Sequence, residues 1–137
     1  MKKISVLFVC LGNICRSPAA EAIFISLLGQ KELTDGFIVD SAGTGSWHIG
    51  KKADSRMRIA AERRDINILS RARQINSKDF DEFNYILAMD ESNFRNIQDL
   101  KNRTASTDFA SIKKIASAAG DLQIFPKHTK RTEIFFI

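Results

Sequence analysis

Long apolar runs are absent from this sequence. No stretch approaches the roughly 18 uninterrupted apolar residues that a membrane-spanning helix needs. The short apolar run that follows Met1, Lys2 and Lys3 lacks a signal-peptide cleavage pattern. We therefore expect a soluble, cytoplasmic protein with no membrane partner.

Cysteine and histidine are scarce. The two cysteines, Cys10 and Cys15, lie five positions apart and are too few for a disulfide framework. They lack the paired ligands of a zinc site, and His48 and His128 form no cluster, so we expect no metal and no cofactor. Both histidines are predicted to be ordinary surface residues. In a cytoplasmic chain, such thiols are either reactive or simply buried.

The excess of positive charge is small. Most lysines and arginines alternate with aspartates and glutamates, as on a solvated helical surface, and only Lys127 to Arg131 forms a basic cluster within a net charge of +5. No aromatic-and-basic motif accompanies this charge, so we predict no nucleic-acid partner. Phosphorylated substrates suit the same charge. The sequence leaves the oligomeric state open.

The sequence does contain an alternation of apolar strands and amphipathic helices. With 137 residues, of which 44% are hydrophobic, we predict a single domain over residues 1–137. Short connections between strands and helices predict a parallel α/β sheet. The predicted strands are Ile4 to Val9, Phe37 to Asp40 and Asn84 to Met89, and the predicted helices run from Pro18 to Leu28, from Ser55 to about Arg64 and from Asp90 to about Leu100.

The loop between the first strand and the first helix is predicted to bind phosphate. Ser17 is predicted to cap the helix, with Pro18 as its first residue. Unpaired N–H groups and the dipole at a helix N-terminus favour an anion, and Gly12 permits the backbone torsions of a nest around it. The predicted phosphate-binding residues are Leu11, Gly12, Asn13, Ile14, Cys15 and Ser17.

Cys10 and Arg16 are the predicted catalytic residues. The positive loop favours a thiolate, so Cys10 can act as a nucleophile. The planar guanidinium of Arg16 can hold two phosphoryl oxygens and follow the charge of the transition state. Singly, the two residues have a simpler interpretation, as a buried strand-end cysteine and an exposed arginine. Their joint spacing before Ser-Pro favours function, and it fits neither a Walker loop nor a dinucleotide fingerprint.

The segment VLFVCLGNICRSPAAEAIF, from Val6 to Phe24, resembles the signature of the low-molecular-weight protein tyrosine phosphatases. The resemblance implies a single-domain α/β fold of the flavodoxin-like, phosphotyrosine phosphatase I-like type. In that fold a four-stranded parallel sheet carries helices on both faces, and the loop follows the carboxyl end of the first strand. The resemblance reaches about Asn102 and includes Asp40 to Gly43, Trp47, Asp54 to Arg56, Arg71 to Gln74 and Tyr85 to Asn93.

The resemblance also implies a reaction. The activity would be hydrolysis of phosphotyrosine in proteins, or of small aryl phosphates, by a protein tyrosine phosphatase. Cys10 would form a phosphocysteine intermediate and Arg16 would bind the phosphate and stabilise the transition state. Cys15 would trap an oxidised Cys10 as a reversible disulfide.

Further residues gain roles from the same resemblance. Asn13, Ser17 and Ser41 would hold the loop through hydrogen bonds, and Ser17 would also help to keep the thiolate ionised. Leu11 and Trp47 would line the mouth against the substrate ring.

The general acid of this family is missing from the sequence. The family protonates the leaving tyrosyl oxygen with the aspartate of an Asp-Pro-Tyr loop, whereas the only prolines here are Pro18 and Pro126 and no Asp-Pro occurs. We expect truncation, a shifted reading frame or divergence after about residue 120, and impaired activity. Asp108 and Asp121 fit a helix start and a surface turn better than they fit a replacement acid.

The last third of the chain is the least regular. Residues 106–119 suggest a helix followed by a strand at 114–116, and residues 120–137 show no clear periodicity. Ile134 to Ile137 is interpreted as an apolar tail without a partner.

Three alternatives remain. A catalytically weak phosphate- or phosphotyrosine-binding protein would keep Cys10 and Arg16. Arsenate reductases share the loop but relay oxidation through further cysteines, and none follows Cys15. Protein arginine phosphatases carry a threonine at the position of Ile14, and the bulkier apolar residue favours an aryl phosphate. Ser70 stands where some relatives carry histidine. The sequence therefore leaves open which contact the residue at this position makes.

Overall fold

The computed structural model describes residues 2–104 and 132–136. The predicted helix within 106–119 and the strand at 114–116 lie outside the described residues, as do Asp108, Asp121, His128 and the basic cluster. The strands are β1 Ile4–Cys10, β2 Phe37–Gly43, β3 Tyr85–Ala88 and β4 Glu133–Phe136. The helices are α1 Arg16–Gln30, α2 Ser55–Glu62, the short α3 Asp79–Glu82 and α4 over 91–104, and a 3-10 turn spans Thr34–Gly36.

The four strands form one parallel sheet in the order β2, β1, β3, β4. β1 lies inside the sheet and pairs with both β2 and β3, which explains why its sequence is a continuous apolar run. The predicted four-stranded parallel α/β fold is therefore confirmed.

Helices cover both faces of the sheet. Successive side chains of a strand point to opposite faces, so β1 divides its side chains between two layers. Leu7 and Val9 belong to one buried cluster with Ile97 of α4. On the other face, the ring of Phe8 meets that of Phe24 of α1, with centroids 5.8 Å apart. Cys10 follows Phe8 by two positions and therefore points toward α1.

The prediction that the C-terminal apolar segment has no partner is wrong. β4 pairs in parallel with β3, with Ile134 opposite Ile86, and Ile134 packs against the core. The hydroxyl of Thr132, just before β4, donates to the carbonyl oxygens of Phe80 and Phe83. The pairing satisfies backbone groups at the outer edge of β3, and Ile134 is apolar because it packs against the core.

Several element boundaries differ from the predictions. β2 continues past Asp40 to Gly43, because its pairing with β1 extends to the Cys10–Gly43 pair. α1 passes through Gly29 to end at Gln30, and α2 ends at Glu62, two residues before the predicted Arg64. α3 was not predicted, since four residues are too few for a helical period.

Candidate active site

The phosphate loop predicted from the sequence is anchored to the carboxyl edge of the sheet. Cys10 is the last residue of β1 and is only 3% exposed, and α1 begins at Arg16. The segment that follows β2 holds the loop: the N–H of Thr44 donates to Cys10 O at 2.9 Å and that of Gly45 to Leu11 O at 2.8 Å. The site therefore lies where open parallel sheets bind their ligands.

Gly43 packs directly against the loop backbone. A Cβ at this position would lie 2.8 Å from Leu11 O and 3.1 Å from Asn13 N. We expect Gly43→Ala to distort the loop and to lower the free energy of unfolding by about 1–3 kcal/mol. Both the melting temperature and any phosphatase rate should fall as a result. Gly36→Ala is the matched control, because nothing lies within 4 Å of a Cβ there. Equal melting temperatures and rates for the two variants would contradict the close contact.

Ser17 is not the N-cap of α1. The helix begins at Arg16 with Cys15 as its N-cap, and among the described residues no side chain caps it. The first N–H groups of α1 are thus left to an anion at this end of the helix. The Ser-Pro pattern misled the prediction because serine suits both a cap and the first turn, whereas here its hydroxyl points inward to Cys10.

Asn13 is the structural centre of the loop. Its backbone has a φ of 56°, in the left-handed region that asparagine tolerates better than most residues. Its Nδ2 donates to Ser17 Oγ at 2.8 Å and to Ser41 Oγ at 2.9 Å. Its Oδ1 accepts from the N–H of Arg73 at 2.9 Å. One buried amide therefore joins the loop to α1, to β2 and to the segment before α3.

The thiol of Cys10 has two hydrogen-bond partners. Its Sγ lies 3.0 Å from Ser17 Oγ, and it accepts from the N–H of Asn13 at 3.3 Å. Both partners can hydrogen-bond to the sulfur when Cys10 acts as a nucleophile. The structure thus brings together Cys10, Asn13, Ser17 and Ser41.

Arg16 forms an ion pair with Asp90. Its Nη2 donates to Asp90 Oδ2 at 3.0 Å, and both side chains are about half exposed. Asp90 also accepts from the N–H of Asn93 at 2.7 Å at the start of α4. That backbone hydrogen bond, followed by Arg16, lowers the pKa of Asp90. Because a guanidinium has five N–H donors, the pair leaves others free for a phosphoryl group.

Cys15 differs from Cys10 in its surroundings. Both are free thiols, but Cys10 is buried and Cys15 is half-buried. Burial, then the negative charge of Asp54, raises the pKa of Cys15. Cys15 is therefore poorly suited to be the nucleophile, and its predicted redox role stays a prediction.

Leu11 and Trp47 line the same cavity. The cavity has a volume of roughly 850 Å³. Trp47 is 67% exposed, and its ring lies on Gly45, where a Cβ would come within 1.7 Å of the ring. The other described lining residues are Thr44, Gly45, Gln74, Ile75, Asn96, Asp99, Leu100, Asn102 and Arg103.

His48 lies closer to the loop than its prediction as an ordinary surface histidine implied. It is half-buried, and a Cβ on Gly12 would come within 2.9 Å of His48 Cδ2. The ring therefore packs beside the phosphate loop, against Gly12.

Glu21 is a buried acid beside this site. It is 8% exposed, and its Oε1 accepts from Ser41 Oγ at 2.7 Å. Burial raises the pKa of Glu21 above its ordinary value of 4.5, and Asp40 adds to the rise, whereas hydrogen bonds from Ser41 and Ser70 and the charge of Arg73 oppose it. Ser70, whose contact the sequence left open, therefore lies near Glu21.

Sequence reasoning gave no role to three residues that support the site, although all three lie in segments that carry the family resemblance. Asp90 had a usable signal, because it follows β3 at the carboxyl edge of the sheet. Glu21 lies four positions after Ser17 on α1 and so shares its helix face. Arg73 pairs with Asp40 and Asp79. No local pattern indicated these pairs, because Asp40 is distant in sequence and Asp79 lies in the unpredicted helix α3.

Within residues 2–104 and 132–136, no group of three or more histidine, cysteine or acidic side chains is placed to hold a metal ion. In the same part of the chain, no helix combines the length and the apolar character that crossing a membrane requires.

Known proteins resemble this chain over most of its length. A family model described as low molecular weight phosphotyrosine protein phosphatase matches residues 5–123. The phosphatase of that name from Sus scrofa is 47% identical over 93 residues, which cover 68% of this chain and 59% of that protein.

Solved structures give the same result. A protein tyrosine phosphatase from Entamoeba histolytica superimposes with a TM-score of 0.70 at 48% identity, covering 71% of this chain and 62% of the other. A Drosophila arginine phosphatase superimposes with a TM-score of 0.67 at 31% identity, covering 100% of this chain and 70% of the other. The chain thus spans about three fifths of the first two relatives. The extent of the family match, together with these identities, shows that the chain belongs to the low molecular weight phosphotyrosine protein phosphatase family.

Proposed function

We propose that this protein hydrolyses phosphotyrosine in proteins, or related aryl phosphate monoesters, through a phosphocysteine intermediate on Cys10. One observation carries the proposal: Cys10 Sγ meets the hydroxyl of Ser17 at 3.0 Å and the N–H of Asn13 at 3.3 Å, at the entrance of a loop that ends on a helix N-terminus. This arrangement supports both a thiolate and an anion in front of it.

The first step transfers the phosphoryl group to sulfur. The thiolate of Cys10 attacks phosphorus, an S–P bond forms, and the bond between phosphorus and the aryl oxygen breaks. The aryl oxygen leaves with the bonding electron pair and takes up a proton. Loop N–H groups and the guanidinium of Arg16 hold the equatorial phosphoryl oxygens, where the charge of the transition state is spread.

The second step returns the enzyme to its starting state. A water molecule attacks phosphorus, a new P–O bond forms, and the S–P bond breaks to release inorganic phosphate and the thiolate of Cys10. Water loses a proton in this step, so a base assists it when one is present.

The leaving-group proton has no evident donor among the described residues. Hydrogen bonds lower the pKa of Asp90 and also that of Asp54. Both side chains therefore stay carboxylates near neutral pH and are poor proton donors. The family resemblance assigns this proton to an Asp-Pro-Tyr loop, and the sequence contains no Asp-Pro. For the chain of 137 residues, we therefore expect the hydrolysis rate to depend strongly on the leaving group.

Two esters test the proposal. We expect p-nitrophenyl phosphate to be hydrolysed faster than phenyl phosphate by roughly 10²–10⁴, the usual contribution of general acid catalysis, because p-nitrophenolate needs little protonation. Initial rates are compared by release of inorganic phosphate, with Cys10→Ser as the blank. Comparable rates on both esters would show that another group supplies the proton. No rate above the blank would favour the alternative of a phosphate-binding protein.

The likeness to a Drosophila arginine phosphatase supports a second candidate substrate, phosphoarginine. Ile14 favours the aryl substrate, because its branched apolar side chain suits a flat ring better than a charged guanidinium. Leu11 and the exposed ring of Trp47 offer that ring further apolar surface. Release of phosphate from a phosphotyrosine peptide and from phosphoarginine, compared at equal concentration, separates the two.

A further inference from the structure

The side-chain amide of Asn13 has only one orientation. The N–H of Arg73 points at it from 2.9 Å, and since a backbone N–H can only donate, the amide atom that faces it must be the oxygen. Both N–H donors of the amide then point at hydroxyl oxygens, those of Ser17 and Ser41. Both N–H donors of this amide and its carbonyl oxygen are thereby satisfied.

The amide in turn sets the direction of the two hydroxyl groups. Each hydroxyl accepts from Asn13 and so has its own proton to give to another acceptor. Ser17 Oγ lies 3.0 Å from Cys10 Sγ and 3.4 Å from Ala42 O, so the sulfur is the closer acceptor. Ser41 Oγ lies 2.7 Å from Glu21 Oε1, which accepts its proton.

We propose that Glu21 is a positioning residue for the nucleophile: by accepting the proton of Ser41, it fixes Asn13 and, through Asn13, turns the hydroxyl of Ser17 toward Cys10. The inference rests on the proposed function. Without an acceptor at position 21, the Ser41 hydroxyl is free to rotate, and its lone pair no longer stays aligned with Asn13. Asn13 then loses one of its two acceptors and holds Ser17 less firmly.

Burial strengthens this series of hydrogen bonds, which we call the relay and which runs from Glu21 through Ser41, Asn13 and Ser17 to Cys10. Ser17 is 0% exposed, Asn13 and Ser41 are each 2% exposed, and Glu21 is 8% exposed. Bulk water therefore competes little for these groups, and each depends on the others for its hydrogen bonds. The neighbouring Asp40 and Arg73 bear opposite charges, and they pair with each other at 3.0 Å rather than with Glu21.

The test compares two substitutions of one residue. Glu21→Ala removes the acceptor, whereas Glu21→Gln keeps an Oε1 that can accept from Ser41. We expect kcat on p-nitrophenyl phosphate to fall about tenfold in Glu21→Ala, the scale of one hydrogen bond, and to be restored in Glu21→Gln. Glu62→Ala, at the exposed end of α2, is the control for loss of a glutamate.

A second readout does not depend on turnover. The rate at which iodoacetate alkylates Cys10, followed on the Cys10 peptide by mass spectrometry, reports how the thiol is held. We expect alkylation to slow about tenfold in Glu21→Ala and to match the unmodified protein in Glu21→Gln. If the unmodified protein hydrolyses no ester, the proposed function fails, and this readout still decides the role of Glu21.

The outcomes are distinct. Slowing in Glu21→Ala with recovery in Glu21→Gln supports the relay. Unchanged alkylation in Glu21→Ala, or equal slowing in both variants, overturns it. Should Glu21→Ala fail to fold by circular dichroism, Ser41→Ala breaks the same relay at its next member: slower alkylation of Cys10 supports the proposal, and an unchanged rate overturns it.

Discussion

Replacing Cys10 by serine is expected to reduce kcat on p-nitrophenyl phosphate on the order of 10⁶-fold, the scale seen when an enzyme loses its nucleophile. A hydroxyl at this position stays protonated at neutral pH, and the two donors that meet Cys10 Sγ cannot make it an alkoxide. The loop and Arg16 are unchanged, so binding of inorganic phosphate should persist. The rate is measured as phosphate release, and binding by calorimetry.

Cys15→Ser is the matched control for the loss of a cysteine from the loop. Burial and Asp54 raise the pKa of Cys15, so this thiol contributes little thiolate, and its loss should slow the reaction far less than the loss of Cys10. Equal losses in the two variants would indicate damage to the loop rather than removal of a nucleophile. A Cys10→Ser variant with appreciable turnover would exclude the phosphocysteine route.

Arg16→Lys is expected to lower kcat by roughly 10²–10³. The substitution removes two preorganised N–H donors that stabilise the charge of the transition state. Lysine keeps the positive charge but cannot hold two phosphoryl oxygens in one plane, nor keep the same contact with Asp90 while doing so. Initial rates on p-nitrophenyl phosphate measure the effect.

Arg95→Lys provides the matched control. Arg95 forms an exposed pair with Glu91 on α4, at 2.7 Å, and such pairs contribute little. Its rate should equal that of the unmodified protein. If Arg16→Lys were as active as Arg95→Lys, then the positive charge alone would suffice, and the planar geometry of Arg16 would have no part in the reaction.

The fold was predictable because its main signals are local. The continuous apolar run of β1 indicated a strand buried on both faces, and the structure places it between β2 and β3. The loop after it was found from the spacing of Cys10 and Arg16 and from the helix that follows. β4 was not found, because Ile134, Phe135 and Phe136 also suit an exposed tail. Only their pairing with β3, a strand about fifty residues earlier, distinguishes a strand from a tail.

The supporting contacts of the site were less predictable. Ser17 was given a capping role, since sequence cannot show that its hydroxyl turns toward Cys10. Glu21 was given no role, because glutamate in a helix is usually exposed and its partner Ser41 lies 20 positions away. Such contacts depend on packing between elements, which no local pattern encodes.

Trapping the covalent intermediate tests the central claim most directly. The protein is mixed with ³²P-labelled p-nitrophenyl phosphate, denatured within the turnover time and digested. We predict label on the peptide that contains Cys10, and none after the same treatment of Cys10→Ser. Turnover without label on Cys10, or label on another residue, would contradict the phosphocysteine mechanism.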